Sequence, residues 1–496
     1  MFKLLGNLHR WCNKYEWIIF LIILVLLLRL PSLIMPHYYG DEEIYFVMGR
    51  AWSSGVPLYK AMFDHKPPLI YIMAGIAPTM FAFRGLLTGL MVIHTILFWK
   101  LARLIWASSR PKLAYLSSLI FVLITTLPLF EGLTVNAELL MMIPVTAAAV
   151  ILWNAKTTEW EKFLIAGLLG GIGWLFKIPV AADMVAIGLF FFAFRKNTLK
   201  EGFHALLSWS FLAYFVAFVA PLALTFVYYY LKGTGPDYLA TVLTVNLGYV
   251  SSWSTSTYTF NPFKSGLLVR GIGLGLFAVG LYLGRKKLDK SLVFAALWFG
   301  FSLFGSLLSA RPYPHYLQEV AAPAALLLPF IFVAESIGAW ILIAVIAGTS
   351  ILVEIQIKFW GYPTISVYKT YWEYVTKKIT WDEYLTRFDN APRNYAIAKY
   401  LNERLSPEDQ IYVWGTDATV YNLTNRLPTG GKYIVSFHVH DLKKYDYVME
   451  NLYSNKPKYI IVLPGSGEFP EMTSLIETRY ILAKQIYNTQ IYLKLP

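Results

Sequence analysis

Three carboxylates, Asp41, Glu42 and Glu43, follow one another just past the first long apolar run. A lysine, Lys66, stands between His65 and the pair Pro67-Pro68 at the mouth of the next apolar run. A carboxylate held at a low-dielectric boundary has its charged form disfavoured, which makes it a better base. A lysine ammonium binds phosphate as a point charge, and paired prolines hold the chain extended and limit the lysine's wandering. Acid and cation together at a membrane surface suggest chemistry on a charged lipid headgroup. The plainer reading of the same residues is a solvated acidic loop and a lysine snorkelling to water.

Other residues carry the same ambiguity. Arg311 and His315, with Tyr313 and Tyr316, crowd two cations and two aromatics into one short segment. They make either an aromatic belt with a charged anchor or a clamp on an anionic headgroup, Arg311 being able to bind in two-pronged fashion. Asn136 and Glu138 open an apolar run, where they fit as an N-cap and a first-turn acid. Lys177 and Asp183 lie where ions are costly; a simple pairing between them would satisfy both. Phosphate-binding Walker loops, GxGxxG after a strand, HExxH and GxSxG are absent from the sequence, which argues against nucleotide-driven, nicotinamide, zinc-protease and serine-hydrolase chemistry. Cys12 is the only cysteine, so neither an internal disulfide nor a cysteine metal cluster can form. The acids could bind a divalent ion, but no spacing compels one, and no metal ligand or cofactor is assigned.

The elements that must position these groups follow from composition. Of 496 residues 57% are hydrophobic and only 15% charged, too few charges for a soluble chain of this length. Apolar runs long enough to cross a hydrocarbon core recur from Trp17 to about Ile355 and then stop. The fold class expected is a polytopic α-helical membrane protein of about eleven spans plus interfacial helices, with a C-terminal soluble α/β domain. Spans are placed near 17–35, 86–106, 113–130, 138–153, 163–177, 180–194, 206–231, 266–284, 291–309, 317–335 and 337–355. The segment 67–83, broken by prolines, reads as re-entrant or interfacial, and the stretch after Glu43 as an amphipathic interfacial helix. Gly271, Gly273 and Gly275 read as a close helix-packing face. The net charge of +13 is spread over short loops between spans, where orientation explains it better than nucleic acid. With the N-terminus in the cytoplasm those basic loops face inward. The segments 36–66, Glu131–Glu138, the region around Lys177, the loop 232–265 and Arg311–Tyr316 then share the outer face. A boundary is expected near 358, between a transmembrane domain over 1–358 and an extracytoplasmic α/β domain over 359–496. In the latter, 411–415 and 459–464 read as buried strands, 391–404 and 441–451 as helices, and 481–495 as two strands around Asn488-Thr489.

Taken in order, Gly40-Asp41-Glu42, His65-Lys66-Pro67-Pro68-Leu69, Asn136-Ala137-Glu138 and Pro314-His315-Tyr316 resemble membrane glycosyltransferases of the GT-C fold. The nearest likeness is to bacterial relatives of protein O-mannosyltransferases and of lipid A aminoarabinose transferases. Trp414-Gly415, Tyr421 and Arg426-Leu427-Pro428 resemble the outer domain of that group. The resemblance implies a plasma-membrane enzyme that takes a sugar from a polyprenyl-phosphate donor on the outer face and passes it to a lipid, glycan or protein hydroxyl. It maps the general base to Asp41, with Glu42 as a supporting acid, and the phosphate-binding lysine to Lys66, to which Arg311 and His315 add cations. His65, Asn136, Glu138 and Tyr316 are the remaining candidates for substrate contact. Aminoarabinose transferases tend to carry an acid where this chain has His65. A sugar on a lipid phosphate already has a good leaving group, so one base and a phosphate clamp suffice, and a single displacement inverts the anomeric centre. Glycoside hydrolysis, by contrast, needs two flanking carboxyls. The rival reading is a transporter or flippase of lipid-linked sugars; such proteins favour inverted repeats and broken helices at the bilayer midplane, and no internal repeat is evident.

Overall fold

The computed structural model describes residues 2–106, 110–250 and 266–496. Residues 251–265 of the expected outer loop lie outside the described residues, as do the side chains of Lys3, Arg10, Cys12 and Lys14. The chain divides into two compact units. One comprises Met1–Leu33, Arg84–Thr225 and Asn261–Thr364; the other comprises Ile34–Phe83, Phe226–Phe260 and Ile365–Pro496.

The first unit is built from apolar helices. Tyr15–Ile34, Met80–Trp106, Trp209–Leu231, Leu267–Lys287 and Ile337–Ile357 are long and apolar enough to cross a membrane. Shorter apolar helices occupy Pro111–Thr126, Ala137–Leu152, Val180–Phe194, Lys290–Ser306 and Ala321–Phe332, and a further helix runs over Trp160–Trp174. Helix is the form these runs must take in lipid, because it satisfies every backbone N–H and C=O within the segment. Small residues let backbones approach: a Cβ on Gly167 or Gly171 would overlap the backbone of Tyr214 or Phe218 on the Trp209–Leu231 helix, the close packing expected of membrane helices. Gly271, Gly273 and Gly275 do not play this part. Among the described residues nothing stands within 4 Å of a Cβ built on any of them, so the expected packing face is corrected to an open one.

The second unit joins the first loop to the C-terminal residues. Its helices include Gly40–Ser53 and Leu69–Ile76. The latter, of 8 residues, is about 12 Å long at roughly 1.5 Å per residue and cannot span, in keeping with the interfacial reading. Gly40–Ser53 is not amphipathic in the way expected: Glu42 through Gly49 are all buried. One side packs on Leu69–Ile76 so closely that a Cβ at Gly49 would stand 2.6 Å from Gly75 N. Downstream, β1 (Ile411–Trp414) runs parallel to β2 (Tyr459–Val462). A hairpin of β3 (Tyr480–Ile486) and β4 (Thr489–Lys494) completes a sheet of order β1-β2-β4-β3. The strands expected at 411–415, 459–464 and 481–495 are those found. Helices Ala391–Asn402, Tyr445–Asn455 and Pro470–Arg479 accompany the sheet, and Tyr412, Trp414, Val448, Leu452, Ile460 and Leu475 fill its core. Phe63 enters that same core: its N–H donates to the Lys432 carbonyl at 2.9 Å, and it forms a parallel bridge with Tyr433.

Candidate functional site

In the second unit the site begins at the first turn of Gly40–Ser53, where three acids complement the positive end of the helix. They part ways at once. Glu43 is fully buried, 3.0 Å from His37 Nδ1, and accepts from Asn422 Nδ2 at 2.7 Å. Glu42 is also fully buried. Asp41 retains 31% side-chain exposure. Its Oδ2 accepts the Tyr45 hydroxyl at 3.0 Å, one helical turn on, and lies 3.3 Å from Lys66 Nζ.

Lys66 is 7% exposed. Its ammonium faces Asp41, stands 3.8 Å from Asp64 Oδ2 and lies 4.9 Å from the Tyr45 ring centroid. Two buried tyrosines fix its backbone. Tyr59 donates its hydroxyl to the Lys66 carbonyl at 3.0 Å, and the Lys66 N–H donates to the Tyr71 hydroxyl at 3.0 Å, which donates in turn to Asp64 Oδ2 at 2.8 Å. Tyr59 is itself wedged edge-on against Tyr229 and Tyr238. Burial pushes the Asp64 carboxyl up, but Lys66 and then His65 outweigh it and hold the group well below the usual carboxylate range. Burial, aided by Asp64, pushes the Tyr71 hydroxyl well up. Asp64 Oδ1 faces the other way, 3.1 Å from His65 Nδ1 and 3.6 Å from His438 Nε2. Burial pushes His438 down to about 3, with Asp64 opposing it. The His65 carbonyl is held by Asn246 Nδ2 at 2.7 Å.

The first unit carries a separate cluster. Glu138, in the first turn of Ala137–Leu152, pairs with Lys177, and its Oε1 lies 3.8 Å from His315 Nε2. His315 pairs through Nδ1 with Glu131, and Lys177 lies 4.1 Å from the Tyr316 ring centroid. Asn136 occupies the N-cap position but makes no capping bond; its amide donates to Thr134 Oγ1 at 2.9 Å. The pairing of Lys177 with Asp183 is not made. Asp183 Oδ1 accepts Trp298 Nε1 at 2.8 Å and Ser302 Oγ at 2.5 Å. Arg311 lies in this unit, with Tyr313 stacked on His315 at 5.6 Å beside it.

Of the residues singled out in the sequence, Asp41, Glu42, His65 and Lys66 thus fall in one unit, and Asn136, Glu138, Arg311, His315 and Tyr316 in the other. Sequence reasoning missed Tyr45, Tyr59, Asp64, Tyr71 and His438 in the first group, and in the second Glu131 and Glu319, the latter buried near Asp183, Lys177 and Glu138. Asp64, two residues from Lys66, and Glu319, an acid at the edge of an apolar run, were open to notice. His438 had no local signal.

Comparison with known proteins shows the fold of the chain. ArnT of Cupriavidus metallidurans, a lipid A aminoarabinose transferase, matches in the structure bound to undecaprenyl phosphate with a TM-score of 0.59 at 13% identity, over 97% of this chain and 98% of that one. The apo structure gives 0.58 at 13% identity with the same coverage. The archaeal oligosaccharyltransferase AglB of Archaeoglobus fulgidus gives 0.46 at 12% identity, over 91% of this chain and 70% of its own. Residues 391–494 match the family model of the competence-induced protein Ccs4 C-terminal domain. No curated protein matches in sequence. The chain has the GT-C fold: mostly helical, with several apolar helices and a C-terminal domain built on a small sheet.

Proposed function

We propose that this protein is an inverting glycosyltransferase that moves a sugar from a polyprenyl-phosphate donor to an acceptor hydroxyl on the outer face of the plasma membrane. The fold shared with a transferase whose structure holds undecaprenyl phosphate supports the donor class. The basic loops between spans support a cytoplasmic N-terminus and an outer site. The observation that carries the reading is the sharing of Asp41 Oδ2 between the Tyr45 hydroxyl and Lys66 Nζ, with Asp41 the member of the group most open to solvent.

In the resting site Lys66 neutralises Asp41. A donor phosphate competes for the ammonium, and as Lys66 turns to it Asp41 is released to accept the acceptor's proton. The acceptor oxygen then bonds to the anomeric carbon while the bond from that carbon to the phosphate oxygen breaks. The proton goes to Asp41 and the lipid phosphate leaves with the electron pair. Glu42, buried beside Asp41, supports the acidic turn.

The test is a panel of polyprenyl-phosphate sugars offered to the purified protein with candidate acceptors, following lipid-phosphate release and product mass. Release that depends on acceptor is expected, and Asp41→Asn should slow it by about 10²–10⁴-fold, the usual worth of a general base. Full activity in Asp41→Asn removes Asp41 from the role. Movement of donor across vesicles without turnover makes the protein a flippase instead.

A further inference from the structure

We infer that Asp64, His65 and His438 form a binding site for one divalent transition-metal ion of the zinc class. One ligand atom from each residue lies within 4.8 Å of the other two. Zinc bonds to imidazole nitrogen and carboxylate oxygen are about 2.0–2.1 Å long, so neighbouring ligands of a tetrahedral ion stand roughly 3.3–3.4 Å apart. The distances from Asp64 Oδ1 to His65 Nδ1 and His438 Nε2, 3.1 and 3.6 Å, bracket that spacing. Only the two imidazoles need to draw together.

A second observation points the same way. His438 is 2% exposed, and neither of its ring nitrogens has a hydrogen-bond partner. A buried polar group without a partner is costly, yet this ring is held firmly, edge-on to Phe63 at 5.0 Å and to Phe437 at 4.5 Å. The Phe63–Tyr433 bridge fixes the two chain segments that bring Asp64 and His438 together. Asp64 divides its work: Oδ2 takes the Tyr71 hydroxyl and faces Lys66, while Oδ1 is turned to the histidines. Two imidazoles and one carboxylate are a donor set suited to zinc, with a fourth position open to an outside ligand.

Lys66 follows His65 directly, and a donor phosphate held by its ammonium is a natural fourth ligand. That step rests on the transfer reading above; the metal site does not. The whole protein, stripped with a chelator, is titrated with zinc against a chromophoric competitor. One zinc per chain is expected, weakened roughly 100-fold or more in His65→Ala and in His438→Ala and unchanged in His204→Ala, an exposed histidine of the other unit. X-ray absorption at the zinc edge should report two imidazoles. Unfolding midpoints are compared throughout, and His65→Ala, at a partly exposed position, carries the test if His438→Ala does not fold. Absence of stoichiometric zinc from the folded parent, or equal affinity in a folded His65→Ala, overturns the site. Zinc binding without sugar transfer sinks the transfer reading and leaves the site standing. Equal transfer by stripped and loaded protein overturns phosphate ligation alone.

Discussion

Replacing Tyr71 by Phe deletes one oxygen and tests whether the tyrosine frame positions Lys66. The ring stays, keeping its contacts with Tyr45 and Tyr59 at 6.2 and 6.5 Å between centroids. Two hydrogen bonds go: the hydroxyl to Asp64 Oδ2 at 2.8 Å and the Lys66 N–H to the hydroxyl at 3.0 Å. The first is a bond to a charged, buried carboxylate, worth about 1.5–3 kcal/mol, and the second a neutral bond of about 0.5–1.5 kcal/mol. Their sum sets the expected loss at about 2–4.5 kcal/mol. Tyr480→Phe is the matched control, since its hydroxyl makes a bond to the Pro457 carbonyl at 2.9 Å worth about 1 kcal/mol. Unfolding of both variants in detergent at one scan rate gives the comparison. Under the transfer reading, Tyr71→Phe also raises the KM for lipid donor about tenfold, equivalent to about 1.4 kcal/mol, with a smaller change in kcat. A Tyr71→Phe protein no less stable than Tyr480→Phe, with unchanged donor KM, refutes the positioning argument.

Further expectations concern packing and charge. Gly49→Ala gains at most about 1 kcal/mol of helix propensity but drives a methyl against Gly75 N at 2.6 Å and Ala74 C at 2.8 Å. Because those atoms are backbone, a net loss of about 1–3 kcal/mol follows, readable as a lower unfolding midpoint. Lys177→Met removes the ammonium paired with the buried Glu138 carboxylate and leaves it His315 Nε2 at 3.8 Å, which should cost about 3 kcal/mol; adding Glu138→Gln should restore much of the lost midpoint. Asp409 accepts from Lys458 Nζ at 2.7 Å and from the Ser406 N–H at 2.6 Å, and the Lys458 hydrogen bond, ahead of burial's opposing push, holds it below the usual range. A depressed carboxylate stabilises above its unfolded pKa and loses that contribution as pH falls through its folded one. Asp409→Asn should therefore narrow the stability gap between pH 6 and pH 3 by about 1 kcal/mol or less, measured by unfolding at the two pH values.

The parts of this fold legible in the sequence are those written in local patterns. Runs such as Trp209–Leu231 are apolar over their full length, and lipid leaves helix as their only solution. The strands at 411–414 and 459–462 are short, fully apolar and closed by Gly415 and Pro464. Asp41 and Lys66 stood out together because both lie at the edges of apolar runs, but nothing in the segment between them announced their approach to 3.3 Å. Burial was harder to see. Ile44-Tyr45-Phe46-Val47-Met48 reads as one face of an interfacial helix, but Gly49 and Gly75 let a second helix close upon it, and Asn422 covers the acidic turn. Neither partner leaves a mark in the pattern of the helix itself.

His438 shows where such reading must stop. Nothing in Ser436-Phe437-His438-Val439-His440 separates it from His440, a half-buried histidine bonded to the Tyr445 hydroxyl and the Ser466 carbonyl. What distinguishes the two is a contact across nearly the whole chain: Phe63 enters the core of the C-terminal sheet and bridges Tyr433. That insertion turns Asp64 toward His438 and leaves His440 facing Tyr445. The bridge is the step on which the metal site depends, because without it Asp64 and His65 are only two groups beside a lysine. Phe63→Pro tests this dependence: it keeps the three ligands but removes the N–H that donates to the Lys432 carbonyl. If the site is assembled as argued, zinc affinity in the folded variant should fall roughly as far as in His438→Ala, with the unfolding midpoint lowered by the loss of a core ring; undiminished affinity would show that the ligands meet without the bridge.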